Sequence, residues 1–319
     1  MPRASTTCSG DCDSQVRPGP WKFLPEGLGA AARYSTTRET MAAALPSLRL
    51  APGMRVLEVG CGSGGYSTMM AAALQGKGEW IGVDHDEALL DQARRNVVLD
   101  VPVRFEKATA LELPFPARSF DAIVSTFLLC VLPSPLTALH EMSRVVKPDG
   151  VISSLSCFCK SGGLPLFHGS ESWPGSDRYA ELEPRVRSAF RQQLRNPGLG
   201  LPNGKDLDVW ADYARAGLVD LRISGLLPVY APADARWSEE EALDWVQRRE
   251  RVELQLFERL AGDHIRLEQA GVTKQEVDEL LTLTKLRFAH LRSPGMARRT
   301  MAAFADPHII ISGRVPGVC

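Results

Sequence analysis

Hydrophobic positions change their period several times along the chain, and each change marks a predicted element. Residues 54–59, "MRVLEV", are largely apolar and read as a strand buried on both faces. "APG" at 51–53 breaks a loosely helical stretch over 30–48 just before it. A glycine-rich turn, an alanine-rich helix over 66–74, the strand "EWIGVD" at 79–84 and a helix over 86–99 with an acidic first turn follow. "PVRFEKA" and "FDAIVSTFLL" then read as strands, "LTALHEMSRVV" as a helix, "PDG" as a turn and "VISSLSCF" as a strand. Strand and helix alternate at βαβ spacing, which predicts an α/β fold with five strands in one doubly wound parallel sheet.

The alternation stops after Phe158. Residues 160–204 hold the turn clusters "SGGLP", "WPGSD", "NPGLG" and "LPNG", a composition that predicts an irregular covering segment. Regular pattern resumes as a helix over 206–216, a helix-ending Gly217 and a strand over 218–224. Helices over 238–260, opened by "SEEE", and over 273–291 precede a last apolar strand, "HIIISGRV", at 308–315. The predicted organisation is a disordered tail at 1–20, a core at 21–158, an irregular insertion at 159–205, a core helix and strand at 206–230, a helical lid at 231–305 and a closing strand at 306–319. Phe167, Trp173, Trp237, Trp245 and Phe257 fall in the two insertions, where a pocket roof is expected, although aromatic residues at helical spacing serve packing equally well.

Composition narrows the function classes. With 37 basic against 38 acidic residues the net charge is −1, so no overall field draws the protein to nucleic acid or an anionic membrane. Apolar runs fall short of the ~20 residues of a membrane span, and "MPRASTTCSGDCDSQ" lacks the apolar centre of a signal peptide; a cytoplasmic location is expected. Seven cysteines without a C-x-x-C pair read as reduced thiols, and six dispersed histidines show no ligand spacing, so no metal is predicted.

The stretch "VLEVGCGSGGYS", 56–67, fits two loop patterns at once: Gly60, Gly62 and Gly65 satisfy G-x-G-x-x-G, and Gly60, Gly62 and Gly64 satisfy G-x-G-x-G. The first suggests a dinucleotide pyrophosphate, the second S-adenosylmethionine. Glu58, two residues before Gly60, decides between them, because a carboxylate repels a pyrophosphate and attracts a cation. Asp84, at the end of the second strand, suits the two hydroxyls of a ribose in either case.

In order and spacing, "VLEVGCGSG", "GVDHD", "LELPFPARSFDAIVS" and "ALHEMSRVVKPDGVI" resemble the class I S-adenosylmethionine-dependent methyltransferases, in particular small-molecule enzymes of the ubiquinone/menaquinone type. The resemblance covers residues 54–157 and implies a seven-stranded Rossmann-like sheet whose last strand, "HIIISGRV", runs antiparallel. It implies S-adenosyl-L-methionine as cofactor, with Asp84 at the ribose and Glu58, Gly60, Cys61, Gly62 and Gly64 in the loop. His85, Thr109, Ala110, Ser125 and Tyr34 complete the expected contacts. Where the family has Gly-Asp-Ala, this chain has Ala108, Thr109 and Ala110, so Thr109 offers the adenine a hydroxyl in place of a carboxylate.

Methyl transfer from a sulfonium needs positioning more than a strong base, so no catalytic residue is assigned, with His168 the best candidate. Asp121 is expected to serve fold geometry, and His140 to lie on a helix surface. Arg33, Tyr34 and Arg38 are read either as closing over the ligand or as a solvated face. The leading function is methyl transfer to a small organic acceptor. Alternatives are a thiol or metalloid methyltransferase using Cys157 and Cys159, a catalytically silent S-adenosylmethionine-binding assembly protein, and, least favoured, an NAD-dependent oxidoreductase. The apolar stripe of the lid covers the acceptor pocket or, in the other reading, joins a homodimer.

Overall fold

The sequence order of strands is not their order in the sheet, and the difference places the site. In the computed structural model, which describes residues 35–129, 132, 134–157, 164–167, 172–194, 209–227, 229–262, 267–268, 271–300, 303–305 and 308–317, five parallel strands come first: β1 (Arg55–Val59), β2 (Glu79–Asp84), β3 (Val103–Lys107), β4 (Phe120–Thr126) and β5 (Val146–Cys157). The last two are β7 (Val219–Leu226) and β10 (His308–Arg314), in the order β3-β2-β1-β4-β5-β10-β7. β10 is antiparallel to both neighbours, so it starts at the edge where the parallel strands end, with His308 opposite Cys157 and Leu226. The sheet therefore has the seven strands and single reversed strand expected.

Two-residue alternation divides the side chains between the faces. Leu57, Val59, Ile81, Val83 and Ile123 pack with α4 (Pro135–Val145) and with Tyr213 of α6 (Val209–Arg215). Val56, Trp80, Ala122 and Val124 pack on the other face with α1 (Ser35–Ala44) and α2 (Gly65–Ala71). Each of the buried Val, Leu and Ile side chains contributes about 1.5–3 kcal/mol, so a slip of one residue, which exchanges the two sets, is strongly opposed. α3 (Glu87–Asn96) closes the β2–β3 end, with Asp86 accepting from the Ala88 and Leu89 N–H groups as its N-cap. Asp121 accepts the Arg55 N–H at 2.8 Å and the Lys147 Nζ at 2.6 Å, fastening β1 to β4 at the opposite edge.

One expectation fails. The stretch read as irregular contains α5 (Ser176–Leu194), a 19-residue helix. Its Pro and Gly clusters mark the segment's ends, whereas Leu182, Val186 and Ala189 between them recur at helical spacing and are buried; Pro184 inside the helix obscured this pattern. α5 packs on α7 (Glu239–Gly262) and α8 (Lys274–Leu291), and β6 (Leu164–Phe167), β8 (Val229–Tyr230) and β9 (Ala303–Ala305) pair as a small antiparallel sheet that periodicity did not reveal. Trp173 and Phe257 lie in one apolar cluster of this helical unit and Trp237 and Trp245 in another, so these four aromatics form its interior. α1 is held to α7 and the turn before it by exposed ion pairs, Arg38–Glu241 at 3.3 Å and Glu39–Arg236 at 2.7 Å. Among the described residues no helix is long and apolar enough to cross a membrane.

Candidate functional site

Backbone dihedrals resolve the overlap between the two glycine patterns. Gly60, Gly62 and Gly64 have φ of +77°, +54° and +78°, while Gly65 is the first residue of α2. Left-handed backbone at these three positions demands glycine, so G-x-G-x-G is the pattern the loop uses. Space constrains two of them further: a Cβ on Gly60 would lie 2.9 Å from Leu128 and one on Gly64 would collide with Val97. At Gly62 it would meet nothing within 4 Å, so the loop is open there.

Asp84 holds this loop. Its Oδ2 accepts the Gly62 N–H at 2.9 Å and its Oδ1 the Asp86 N–H at 3.0 Å, with His85 Nδ1 at 3.2 Å. Burial alone would raise the carboxyl, but these bonds outweigh it and hold Asp84 below the usual carboxylate range. Oδ1 is shared between Asp86 and His85, and Oδ2 keeps a second lone pair, which leaves an acceptor for a diol hydroxyl.

Glu58 lies in β1, two residues before the first loop glycine. It is 1% exposed, and it accepts from Ser67 Oγ of α2 and from Trp80 Nε1 at 3.0 Å, so its partners are these side chains and not the loop amides. Burial pushes its pKa up to about 7 against these two hydrogen bonds, and the nearby Asp84 charge adds to the rise. A neighbouring cation would favour its ionised form.

The other expected contacts separate into groups. Cys61 is buried among Leu90, Ala93 and Phe105, and burial, with Glu58 and Asp84 beside it, drives its thiol far above the ordinary range; the loop uses its backbone N–H, given to Val83 O at 3.0 Å. His85 is largely exposed beside Asp84. Thr109 lies at the surface, where its Oγ1 accepts the Leu111 N–H at 3.3 Å, and Ala110 is buried under this turn. Ser125 faces away from α2 into the interior, sharing a 2.8 Å hydrogen bond with Ser154, which accepts from Tyr213 at 2.7 Å. That places it in a core network on the α6 side of the sheet. His140 is exposed, and Arg38 pairs with Glu241. Tyr34, Arg33, His168, Cys159 and the side chains of Cys157 and Phe167 lie outside the described residues.

Sequence reasoning missed Phe127. The predicted strand over 120–129 ends at Thr126, because Phe127 has φ +54°. A bulky residue takes that conformation only where its surroundings impose it. The turn brings Leu128 against Gly60 and sets the Phe127 ring 5.5 Å from that of Tyr66. An unbroken apolar run, "FLL", carries no local signal for it.

The residues present fit S-adenosylmethionine better than a dinucleotide. Two carboxyl groups flank the loop, and the neighbouring guanidinium, Arg94, is engaged with Glu87 and Asp91 at 2.6 and 2.9 Å. This field suits a sulfonium and an ammonium and opposes a pyrophosphate.

Known proteins similar in sequence to this chain include methyltransferases. The model of a family described as a methyltransferase domain matches residues 56–150. A demethylmenaquinone methyltransferase of Staphylococcus aureus (strain MRSA252) is 36% identical over 115 residues, which are 36% of this chain and 47% of that protein. The match thus spans about half the length of that relative. Among solved structures, the YcgJ protein of Bacillus subtilis aligns over 88% of this chain and 99% of its own with 17% identity and a TM-score of 0.45. A phosphoethanolamine N-methyltransferase of Haemonchus contortus, solved with S-adenosyl-L-methionine, aligns over 87% and 52% with 17% identity and a TM-score of 0.43.

Proposed function

We propose that this chain, whose residues 56–150 match the model of a methyltransferase domain, is a class I S-adenosylmethionine-dependent enzyme that transfers a methyl group to a small organic acceptor in the cytoplasm. The observation that carries the proposal is the left-handed Gly60/Gly62/Gly64 loop tied by Asp84 and backed by the buried Glu58. Asp84 would accept a hydrogen bond from a ribose hydroxyl. Glu58, buried between α2 and β2, would supply negative charge behind the loop, and Thr109 and Ala110 would border the adenine. The bound cofactor supplies an electrophilic methyl group on a good leaving group. What remains for the protein is to orient the acceptor and exclude water, which can supply much of the acceleration without a strong base. The near-neutral net charge favours a small acceptor over a polyanion, and the demethylmenaquinone in the staphylococcal relative's name is one member of that class.

Calorimetric titration of the full chain with S-adenosylmethionine and with NAD tests the cofactor. Binding of the first and none of the second is expected; the reverse result would remove the assignment. Incubation with cell extract and methyl-labelled cofactor, followed by mass spectrometry, then identifies the acceptor as the species that gains the label.

A further inference from the structure

A pocket of about 300 Å³ opens at the edge of the sheet opposite the glycine loop. Its walls come from four segments: Arg118 in the turn before β4, Ser143 and Arg144 in the last turn of α4, Val146 and Pro148 at the start of β5, and Val315 and Pro316 just after β10. The parallel strands begin at this edge and the antiparallel β10 ends here, which brings the four segments together. An apolar cavity of about 150 Å³ is enough to hold benzene, so this pocket has room for a ring and a head group.

The two guanidiniums of the pocket are not equivalent. Arg144 is fully engaged: its Nε and Nη2 donate to Glu141, and its Nη1 and Nη2 to the Phe115 and Leu113 carbonyls, all at 2.8 Å. Arg118 is exposed and has no hydrogen bond or ion pair among the described residues, so it is a cation with nothing opposite it. No acidic side chain among the described residues lines the pocket; Glu141 is held by Arg144, and Asp149 turns its carboxylate to Gly317. The C-terminus of α4 would by itself repel an anion, but the Arg118 and Ser119 N–H groups take the Arg144 and Val145 carbonyls at 3.0 and 2.7 Å. Arg118 also has left-handed backbone, φ +59°, so the turn keeps an arginine where glycine would fold with less strain. In the α4 wall, Ser143 Oγ is buried without a hydrogen-bond partner among the described residues, a state that asks for a ligand or another reason.

We propose that this pocket is a second ligand site and that it takes a small organic monoanion, a carboxylate on an apolar body about the size of one ring. Arg118 meets the carboxylate with its planar fork, and the Ser143 hydroxyl, which no partner holds, turns to donate to it. Val146, Pro148, Val315 and Pro316 cover the body. One unopposed cation matches one negative charge, whereas a phosphate monoester carries about −1.5 to −2 and would leave the site with an uncompensated excess. A ligand there joins the turn before β4, the end of α4, the start of β5 and the segment after β10, so its binding stabilises the fold. The site lies at the other end of the strands from Asp84 and the glycine loop, and the proposal stands independently of the methyltransferase reading.

Saturation-transfer NMR on the full chain, with benzoate, benzyl alcohol and phenyl phosphate as probes, tests it. Benzoate should bind saturably with a Kd on the order of 1 mM, since the pair is open to solvent, and benzyl alcohol at least about tenfold more weakly. Tighter binding of phenyl phosphate than of benzoate would overturn the choice of a monoanion. Arg118→Gln should weaken benzoate about tenfold and Ser143→Ala about threefold. Arg118→Gly should weaken it as much as Arg118→Gln while Tm stays level or rises, because glycine relieves the left-handed backbone; that variant decides the outcome if Arg118→Gln does not fold by near-ultraviolet circular dichroism. Benzoate binding indifferent to Arg118, or equal affinity for benzyl alcohol, overturns the site. Saturating S-adenosylmethionine should leave benzoate binding unchanged, and displacement of benzoate by it would put the probe in the cofactor cleft and overturn the proposal as well.

Discussion

Glu58 in the sheet and Glu253 in the helical unit are each 1% exposed, yet one is pushed up to about 7 and the other down to about 2. Burial acts the same way on both. The difference is in what surrounds them: Glu58 faces two neutral donors, Ser67 and Trp80. Glu253 instead lies among Arg249 at 2.7 Å, Arg187 at 3.2 Å and Arg287 at 3.8 Å, with Tyr179 donating to it at 3.1 Å. These residues come from α5, α7 and α8, so the charge of Glu253 is already matched within the architecture that it joins. Among the described residues, Glu58 has no cation as a hydrogen-bond partner and is left to respond to one that arrives. Equal burial therefore goes with opposite shifts, and the neighbours, not the burial, distinguish them.

The largest expected effect tests the structural partner. Glu253→Gln leaves three guanidiniums facing a neutral amide and should cost on the order of 3 kcal/mol of stability, read by denaturant unfolding. Because folding lowers this carboxyl from 4.5 to about 2, its contribution is fully present above about pH 4.5 and is lost as pH falls towards 2. Loss of that acid dependence in the variant would sharpen the comparison, and an unchanged unfolding curve would break it.

Asp84→Ala comes next. It removes two bonds that shape the loop and the acceptor left for a diol hydroxyl, so S-adenosylmethionine affinity should fall by ~2–3 kcal/mol, measured by calorimetry. Wild-type affinity in that variant would sever Asp84 from the cofactor.

Glu58→Gln should weaken the same ligand by a smaller amount, ~1–2 kcal/mol, while the protein stays folded. The pH dependence has the opposite sign to that of Glu253. A carboxyl raised to about 7 contributes stability that is complete below about pH 4.5 and is lost, by about 3 kcal/mol in all, as pH rises through 7. Ligand-free wild type should therefore become less stable across that window and bind the cationic cofactor more tightly above it; the Glu58→Gln variant, with no proton to lose there, should show flatter profiles for both. A variant that unfolds instead would make Glu58 as structural as Glu253 and abolish the contrast.

The smallest effect belongs to Arg236→Ala, which breaks an exposed ion pair between α1 and the helical unit. No measurable change in Tm is expected, because solvent screens such pairs. A clear drop would mean that α1 is fastened far more firmly than its exposed contacts imply.

Much of the core was legible because its signals are local. The period of "RVLEV", "EWIGVD" and "FDAIVST" follows from the alternation of side chains on a strand, and the glycines of 60–64 follow from backbone that only glycine adopts cheaply. Asp84 could be placed at a strand end for the same reason. The helix α5 was hidden because Pro184 and the flanking turn clusters outweighed an otherwise helical pattern. Ser125 was assigned by its position in a resembling motif, but the strand's alternation turns its hydroxyl to Ser154 and the core.

By itself, then, the amino-acid sequence determined the alternating strands and helices and the acidic glycine loop, since each depends on residues within a few positions of one another, whereas the reversal of the last strand was implied only by the family resemblance. Only the tertiary structure decided what surrounds Glu58, how Phe127 turns, and that Arg118, Ser143 and Val315 line one pocket. Arg118 and Val315 lie far apart in the chain, and their meeting depends on strand order and helix packing, which no local period encodes.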